Sequence, residues 1–146
     1  EILMGESSGL YLRLYEQGLI DGAFGWGGES VEGCAMVAAG GDSDYPERVR
    51  DEILQEAQRL IREGISQEEF LRQKRSALGS RVKALDSFSA TCFRLCAGYF
   101  EGEDYLRFPE QFDSIRVEEL QEFLRENILS DRCALVIVEP RQGKEE

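Results

Sequence analysis

The sequence predicts an α+β fold, in which a small antiparallel sheet (a hairpin plus a C-terminal strand) packs against several helices. Segments with apolar residues at helical spacing occupy most of the 146 residues. A glycine-rich region with alternating apolar residues follows the first of these segments, and a continuous apolar run lies near the C-terminus. The hydrophobic content of 42% supplies enough apolar material for a core.

The first elements are a helix and a β-hairpin. The helix carries Leu10 and Leu14 on one face, and Gly18 is typical of the residue that follows a helix end. The second strand is apolar or small on both faces, which predicts a strand inside a sheet that is covered on both sides. In order, the pattern predicts a helix over 7–17, a strand over 22–27, a turn over 27–30 and a strand over 31–39.

The remaining elements are helical until the last strand. Asp44 before Pro46 indicates a helix start, Gly64 indicates its end, and Ser66 with Glu69 forms a capping-box pattern for the next helix. The predicted elements are helices over 44–63, 66–85, 89–100, 105–114 and 117–127, and a strand over 132–138. This strand order, with a first helix that no strand precedes, indicates that the sequence is part of a larger domain.

The net charge of -12 excludes several classes of partner. A chain this acidic repels phosphate backbones, so we expect no nucleic acid, and an anionic membrane surface is disfavoured for the same reason. No apolar run is long enough to span a bilayer, so we expect no membrane. The sequence shows no signal-peptide pattern and its cysteine spacings suit reduced thiols, so we expect a cytoplasmic location. The charge either keeps the protein soluble or forms an acidic wall that faces basic peptides or a basic partner.

Histidine is absent, and four cysteines are present. The missing histidine excludes Ser-His-Asp, Cys-His and HxxEH-type sites within the chain, so we expect no catalytic residue and no metal ligand. The cysteine spacings predict reduced, buried thiols. Two alternatives stay open, which are a four-cysteine metal site if the fold gathers all four, and a small enzyme with a Cys or Asp nucleophile. The cysteines are Cys34, Cys92, Cys96 and Cys133.

Three segments resemble one family when they are taken in order. Gly5 to Ile20, with Ser7-Ser8-Gly9-Leu10-Tyr11 and Tyr15-Glu16-Gln17-Gly18-Leu19, resembles a helix in the second half of pitrilysin/insulinase-family zinc metallopeptidases, which include processing-peptidase-like bacterial proteins. The segment Gly64 to Phe70 with Lys74 is similar to a helix junction of the family. The segment Ile115 to Leu120, followed by Cys133 to Pro140, is similar to its closing helix and strand.

The resemblance implies that the chain is the later part of the C-terminal, non-metal-binding half of a two-half clamshell. Zinc is expected in the catalytic half, held by an inverted HxxEH motif. The implied partners are that catalytic half, in the same or a paired chain, and an extended peptide substrate. We expect residues 1–140 to form the peptidase-like part and residues 141–146 a polar tail.

The candidate substrate-binding residues are Tyr11, Arg13 and Tyr15. Many family members have an Arg at the position of Tyr15 and a Tyr near Asp21, and these residues grip the substrate; here both positions differ. Because Tyr11 and Tyr15 are four residues apart, they share a helix face, where packing is the alternative role. A second hypothesis is a catalytically inert interaction module that pairs with a partner subunit through Phe24, Trp26 and the two tyrosines.

Overall fold

The computed structural model describes residues 1–31 and 34–140, with six α-helices and two β-strands in those ranges. The α+β class predicted from the sequence is confirmed. In chain order, the elements are α1 (Gly9–Glu16), β1 (Gly25–Val31), β2 (Cys34–Gly40), α2 (Pro46–Glu63), α3 (Gln67–Lys83), α4 (Phe88–Glu101), α5 (Phe108–Ser114) and α6 (Val117–Asn127). Short 3-10 turns follow α3 and precede α5.

The core lies between α1, α2, the start of α3 and α6, and the N-terminal segment adds Leu3 and Met4. Leu10 and Leu14 of α1 are fully buried, as is Leu19 just after the helix. Burial of each such side chain contributes roughly 1.5–3 kcal/mol. The predicted leucine face of the first helix is therefore the centre of the core. Further core side chains come from Val49, Ala57, Leu60, Phe70 and Leu124.

The ends of the helices follow the capping signals in the sequence. Ser8 Oγ accepts a hydrogen bond from the Tyr11 amide at 3.1 Å, which satisfies one free N–H of the first turn of α1. Gly18 adopts a positive φ of 65°, and the next amide, of Leu19, donates to the carbonyl of Leu14 at 2.9 Å. This turn directs Leu19 back into the core.

Two of the three boundaries predicted around α2 and α3 are confirmed. Gly64 follows α2 with a φ of 82°, and Ser66 Oγ accepts from the Glu69 amide at 3.1 Å. The predicted cap at Asp44 is wrong: the N-cap is Tyr45, and its side chain makes no capping hydrogen bond. Pro46 at the first helical position needs no N–H partner, so the helix begins without a side-chain cap.

The two strands form an antiparallel hairpin with Trp26 opposite Ala39 and Gly28 opposite Val37. The predicted turn at 27–30 is wrong, because β1 continues through those residues to Val31. The prediction that the second strand is covered on both sides is also wrong, since every residue of β2 is exposed. Within the described ranges the sheet has only these two strands, so neither outer edge has a neighbouring strand.

The predicted C-terminal strand does not form. Residues 133–140 pair with no strand in the described part of the chain, and Val136 and Val138 are 83% and 88% exposed. The local preference for extended backbone is nevertheless kept, since Cys133 has φ -103° and ψ 131°. A strand needs a hydrogen-bonded neighbour as well as β-forming residues, and only the second condition is met here. The predicted tail, 141–146, lies outside the described residues.

Candidate functional site

The predicted tyrosine pair lies on one flank of α1. The rings of Tyr11 and Tyr15 stack with their centroids 6.4 Å apart and an interplanar angle of 7°. Tyr11 is half-buried and packs against the core, whereas Tyr15 is 55% exposed. The inner ring therefore holds the outer one in place, and the pair presents an aromatic surface with a phenol hydroxyl at its edge.

Arg13, the third predicted residue, is part of an ion-pair network with α2. Its Nη2 donates to Glu56 Oε2 at 3.0 Å, and Arg59 donates to Glu56 Oε1 through Nη2 at 2.6 Å and Nε at 3.0 Å. Glu56 is buried, and its hydrogen bonds from Arg59 lower its pKa, although desolvation acts in the opposite direction. The pKa of Arg59 is raised, first by Glu56 and then by Glu63.

The structure therefore separates the three candidate residues instead of gathering them. Two positions along an α-helix correspond to a rotation of roughly 200°, so Arg13 lies on the opposite flank from Tyr11 and Tyr15. The contacts agree, because Arg13 faces α2 while the tyrosines stack on each other. Sequence reasoning missed Glu56, although an acidic residue on the same helical stripe as Val49 and Leu60 signals a buried, paired carboxylate.

An apolar cavity of about 290 Å³ lies beneath the hairpin. Trp26 and Val37 form its upper wall, and their strand register places both side chains on the same face of the hairpin. On its rim, Lys74 Nζ donates to the carbonyls of Asp113 and Ile115 at 2.8 and 2.9 Å, which ties α3 to the end of α5. The other apolar lining residues include Leu3, Met4, Phe70, Phe112, Leu120 and Phe123.

The cavity was not predicted from the sequence. Its residues come from the N-terminal segment, the hairpin, the helices α3, α5 and α6 and the residues beside α6, and no local pattern brings those segments together. One signal does point to it, which is Trp26 in a glycine-rich strand, since an isolated Trp among glycines needs a surface to pack against.

The cysteines do not form a site within the described residues. The prediction that they are buried is wrong: Cys34, Cys96 and Cys133 are exposed and Cys92 is half-buried. Across residues 1–31 and 34–140, no group of three or more His, Cys, Asp or Glu side chains is placed to hold a metal ion. In the same ranges, no helix combines the length and apolar character needed to cross a membrane.

Comparison with known families identifies the chain. The sequence profile of the family described as the peptidase M16 inactive domain matches residues 1–77 of the 146. The chain belongs to this family. The resemblance to the C-terminal, non-metal-binding half of pitrilysin-type peptidases is thereby confirmed, and the chain is an M16 inactive domain of the kind found in zinc-protease-like proteins.

Two relatives of this M16 domain match it over most of its length. The uncharacterized zinc protease YmfH of Bacillus subtilis strain 168 is 28% identical over 143 residues, which are 97% of this chain and 33% of that protein. The crystal structure of an M16-like peptidase from Alicyclobacillus acidocaldarius superimposes with a TM-score of 0.76 at 22% identity, over 86% of this chain and 30% of that one. The chain spans about a third of the length of each relative, and the structural similarity shows the fold alone.

Proposed function

We propose that the chain is a non-catalytic part of a zinc metallopeptidase, in which it lines the peptide-binding chamber and contacts a catalytic half. That half, in the same or a paired chain, would hold the zinc ion and the HxxEH motif. The zinc protease relative supports this proposal. So does the absence of histidine, because a chain without histidine needs another segment to supply those ligands.

The observation that carries the proposal is the apolar cavity below an open hairpin. An extended peptide can add as a strand to an open sheet edge, where backbone hydrogen bonds give affinity and alternate side chains enter pockets. The outer edges of β1 and β2 are unpaired within the described ranges, and Trp26 and Val37 border the cavity. A cavity of about 290 Å³ is large enough for an apolar or aromatic side chain.

Tyr11, Tyr15 and Arg13 remain our proposed contacts to the peptide. The exposed ring of Tyr15, held by Tyr11, suits an apolar side chain or a backbone amide. Arg13 keeps free N–H donors beside the two that bind Glu56 and the Gly9 carbonyl, and a peptide carbonyl or carboxylate is the matching acceptor. Because Arg13 lies on the other flank of α1, it would contact a different part of the peptide.

Steady-state cleavage of a quenched fluorescent peptide by the full-length protein tests this proposal. We expect cleavage that a chelator abolishes and zinc restores. Tyr15→Ala should raise KM by roughly 2–10-fold with kcat nearly unchanged, since a stacked aromatic contact contributes about 0.5–1.5 kcal/mol. Tyr45→Ala is the matched control, because Tyr45 is equally exposed at the start of α2.

The second candidate is a catalytically inert module that pairs with a partner subunit. The exposed side chain of Trp26 on the open hairpin favours it, whereas Phe24 and Tyr11 pack against the core. This candidate replaces the first if the full-length protein contains no HxxEH motif and shows no cleavage that a chelator abolishes. Trp26→Ser should then weaken pairing with the partner, measured by co-purification, without changing the helical content.

A further inference from the structure

A second cavity, of about 620 Å³, lies between the end of α3, helix α4 and the turn that follows α4. It shares no lining residue with the apolar cavity beneath the hairpin. The residues that line it include Arg81 of α3, Arg94 of α4 and Tyr105 of the turn. Its volume is within the range of cavities that bind small organic ligands.

The two arginines of this cavity are gathered around one aromatic ring. The guanidinium carbon of Arg81 lies 5.6 Å from the centroid of the Tyr105 ring, and that of Arg94 lies 5.9 Å from the same centroid. Both distances are those of cation–π contacts, which attract each cation to the ring. Such contacts use none of the five N–H donors of a guanidinium. The ring therefore holds two cations close together, although they repel each other.

Neither guanidinium has an acidic partner in the part of the chain that the structure describes. The ion pairs in residues 1–31 and 34–140 are formed by other arginines. Glu101 and Glu103 also line the cavity, but they come from the C-terminal end of α4 and the turn after it. Glu101 lies about 10 Å from Arg94 along the helix axis, since seven residues separate them. The two cations therefore remain available to an anion from outside these residues.

The hydroxyl of Tyr105 adds a third donor. Its oxygen is buried and has no hydrogen-bond partner among the described residues. Buried polar groups in native proteins nearly always have such a partner, so an oxygen atom of a ligand is the acceptor that this hydroxyl lacks. A ligand reaches the hydroxyl only after a side chain beside it moves, and the exposed side chain of Arg94 is long enough to swing towards a ligand.

We propose that this cavity binds the free C-terminal carboxylate of a peptide whose last side chain is apolar. Arginine forms paired, charge-assisted hydrogen bonds with a carboxylate, which match its two oxygens to two N–H groups. Arg81 and Arg94 bind the carboxylate in this way, and the Tyr105 hydroxyl donates to one of its oxygens. This site goes beyond the proposed peptidase role, because binding of a carboxylate needs no cleavage.

The other lining residues indicate which carboxylate fits. Ala90 and Phe93 are apolar and contact an apolar side chain next to the carboxylate. Glu101 and Glu103 accept a hydrogen bond from a backbone N–H, whereas they repel the second negative charge of a phosphate. The last residue of a peptide carries a carboxylate, a side chain and an amide N–H together, so it matches all parts of the lining.

Isothermal titration calorimetry of the full-length protein with N-acetylphenylalanine tests the proposal. We expect a Kd on the order of 1 mM, because the ligand is small. N-acetylphenylalanine amide, which has no charge, and inorganic phosphate should each bind at least about tenfold more weakly. Equal affinity for the acid and the amide would overturn the proposal, as would tighter binding of phosphate. Absence of binding by the acid would also overturn it, because another part of a longer protein would then cover the cavity.

Substitutions in the cavity locate the binding. Arg81→Gln and Arg94→Gln should each raise the Kd of the acid about tenfold and leave that of the amide unchanged, because each removes one charged donor pair. Tyr105→Phe should raise the Kd about threefold without lowering Tm, since the lost hydroxyl has no partner among the described residues.

The matched control is Arg75→Gln, which removes the same charge from an exposed position of α3 outside the cavity and should leave the Kd unchanged. An unchanged Kd in any of the three cavity variants would contradict the site. A rise in the control as large as that of Arg94→Gln would also contradict it, because the effect would then come from net charge and not from contact with the carboxylate.

Discussion

Helices α1 and α4 both carry apolar stripes at helical spacing, yet they use them in opposite ways. In α1, Leu10 and Leu14 point into the core and are fully buried. In α4, Phe88 and Tyr99 are exposed to solvent, and Gly98 is the buried residue of the helix. An apolar stripe therefore predicts a contact, but it does not say whether the contacting surface belongs to the same chain.

The first prediction, with the largest expected effect, tests the buried side of this comparison. Leu14→Ala should lower the free energy of unfolding by about 2–5 kcal/mol, because it removes buried methyl groups and leaves a cavity. Leu12→Ala is the matched control in the same helix, where the side chain is exposed and the change should be roughly 0.5 kcal/mol or less. Urea denaturation measures both.

Replacing an apolar residue of α4 by alanine tests the exposed helix in the same way. Phe93→Ala should change the free energy of unfolding by roughly 0.5 kcal/mol or less, because this ring is exposed. A loss as large as that of Leu14→Ala would show that α4 is covered within the chain and would remove the contrast between the two helices.

The second prediction concerns the base of the hairpin. A Cβ atom at Gly41 would lie 2.7 Å from Cα of Phe24, so any side chain there would collide with the backbone of Phe24. Gly41→Ala should destabilise the protein by about 1–3 kcal/mol, since the main chain has to move apart. Gly40→Ala has nothing within 4 Å and should be close to neutral. Equal thermal shifts for the two variants would mean that the hairpin base is free to adjust.

The sequence predicted best those features that depend on local interactions. The bounds of α6 and the glycines at 18 and 64 follow from periodicity and from the low steric cost of positive φ in glycine. Two predictions were wrong, which are the strand over 132–138 and the second strand covered on both sides. Both features require neighbours that are distant in the sequence. Local strand-forming residues cannot reveal whether such neighbours are present.

The candidate site was predicted unevenly for the same reason. Tyr11 and Tyr15 are four residues apart on one helix, so their stacking follows from local geometry. The partner of Arg13 is Glu56, which is 43 positions away, and the cavity lining comes from the N-terminal segment, the hairpin and three different helices. Those contacts depend on the packing of α1 against α2 and of the hairpin above α3, which periodicity alone does not specify.

The third prediction concerns Glu56, a buried charged residue of α2 that pairs with Arg13 of α1. Glu56→Gln should lower the free energy of unfolding by about 1–2 kcal/mol, because Arg13 and Arg59 lose a charged acceptor but regain water at the surface. Glu63→Gln is the control, since Glu63 pairs with the same Arg59 from an exposed position. An equal effect of the two substitutions would contradict the role given to burial.

The pH dependence of Glu56 gives a separate test. Because its folded-state pKa is lowered, the carboxylate stabilises the protein above the unfolded-state value of 4.5, and this contribution is lost as the pH falls through the folded value. Wild type should therefore lose more stability than Glu56→Gln when the pH is lowered below about 4.5. Parallel stability curves for the two proteins below that pH would contradict the lowered pKa.

The fourth prediction has the smallest expected effect and concerns the exposed C-terminal segment, residues 133–140. Val138→Asp should change the free energy of unfolding by roughly 0.5 kcal/mol or less, because this side chain is almost fully exposed and its backbone pairs with no strand in the described ranges. Ile137→Asp is the more sensitive neighbour, since Ile137 is less exposed. A loss of several kcal/mol for Val138→Asp would show that the segment adds to the sheet in solution. Residues 133–140 would then belong to the buried part of the molecule and not to its exposed part.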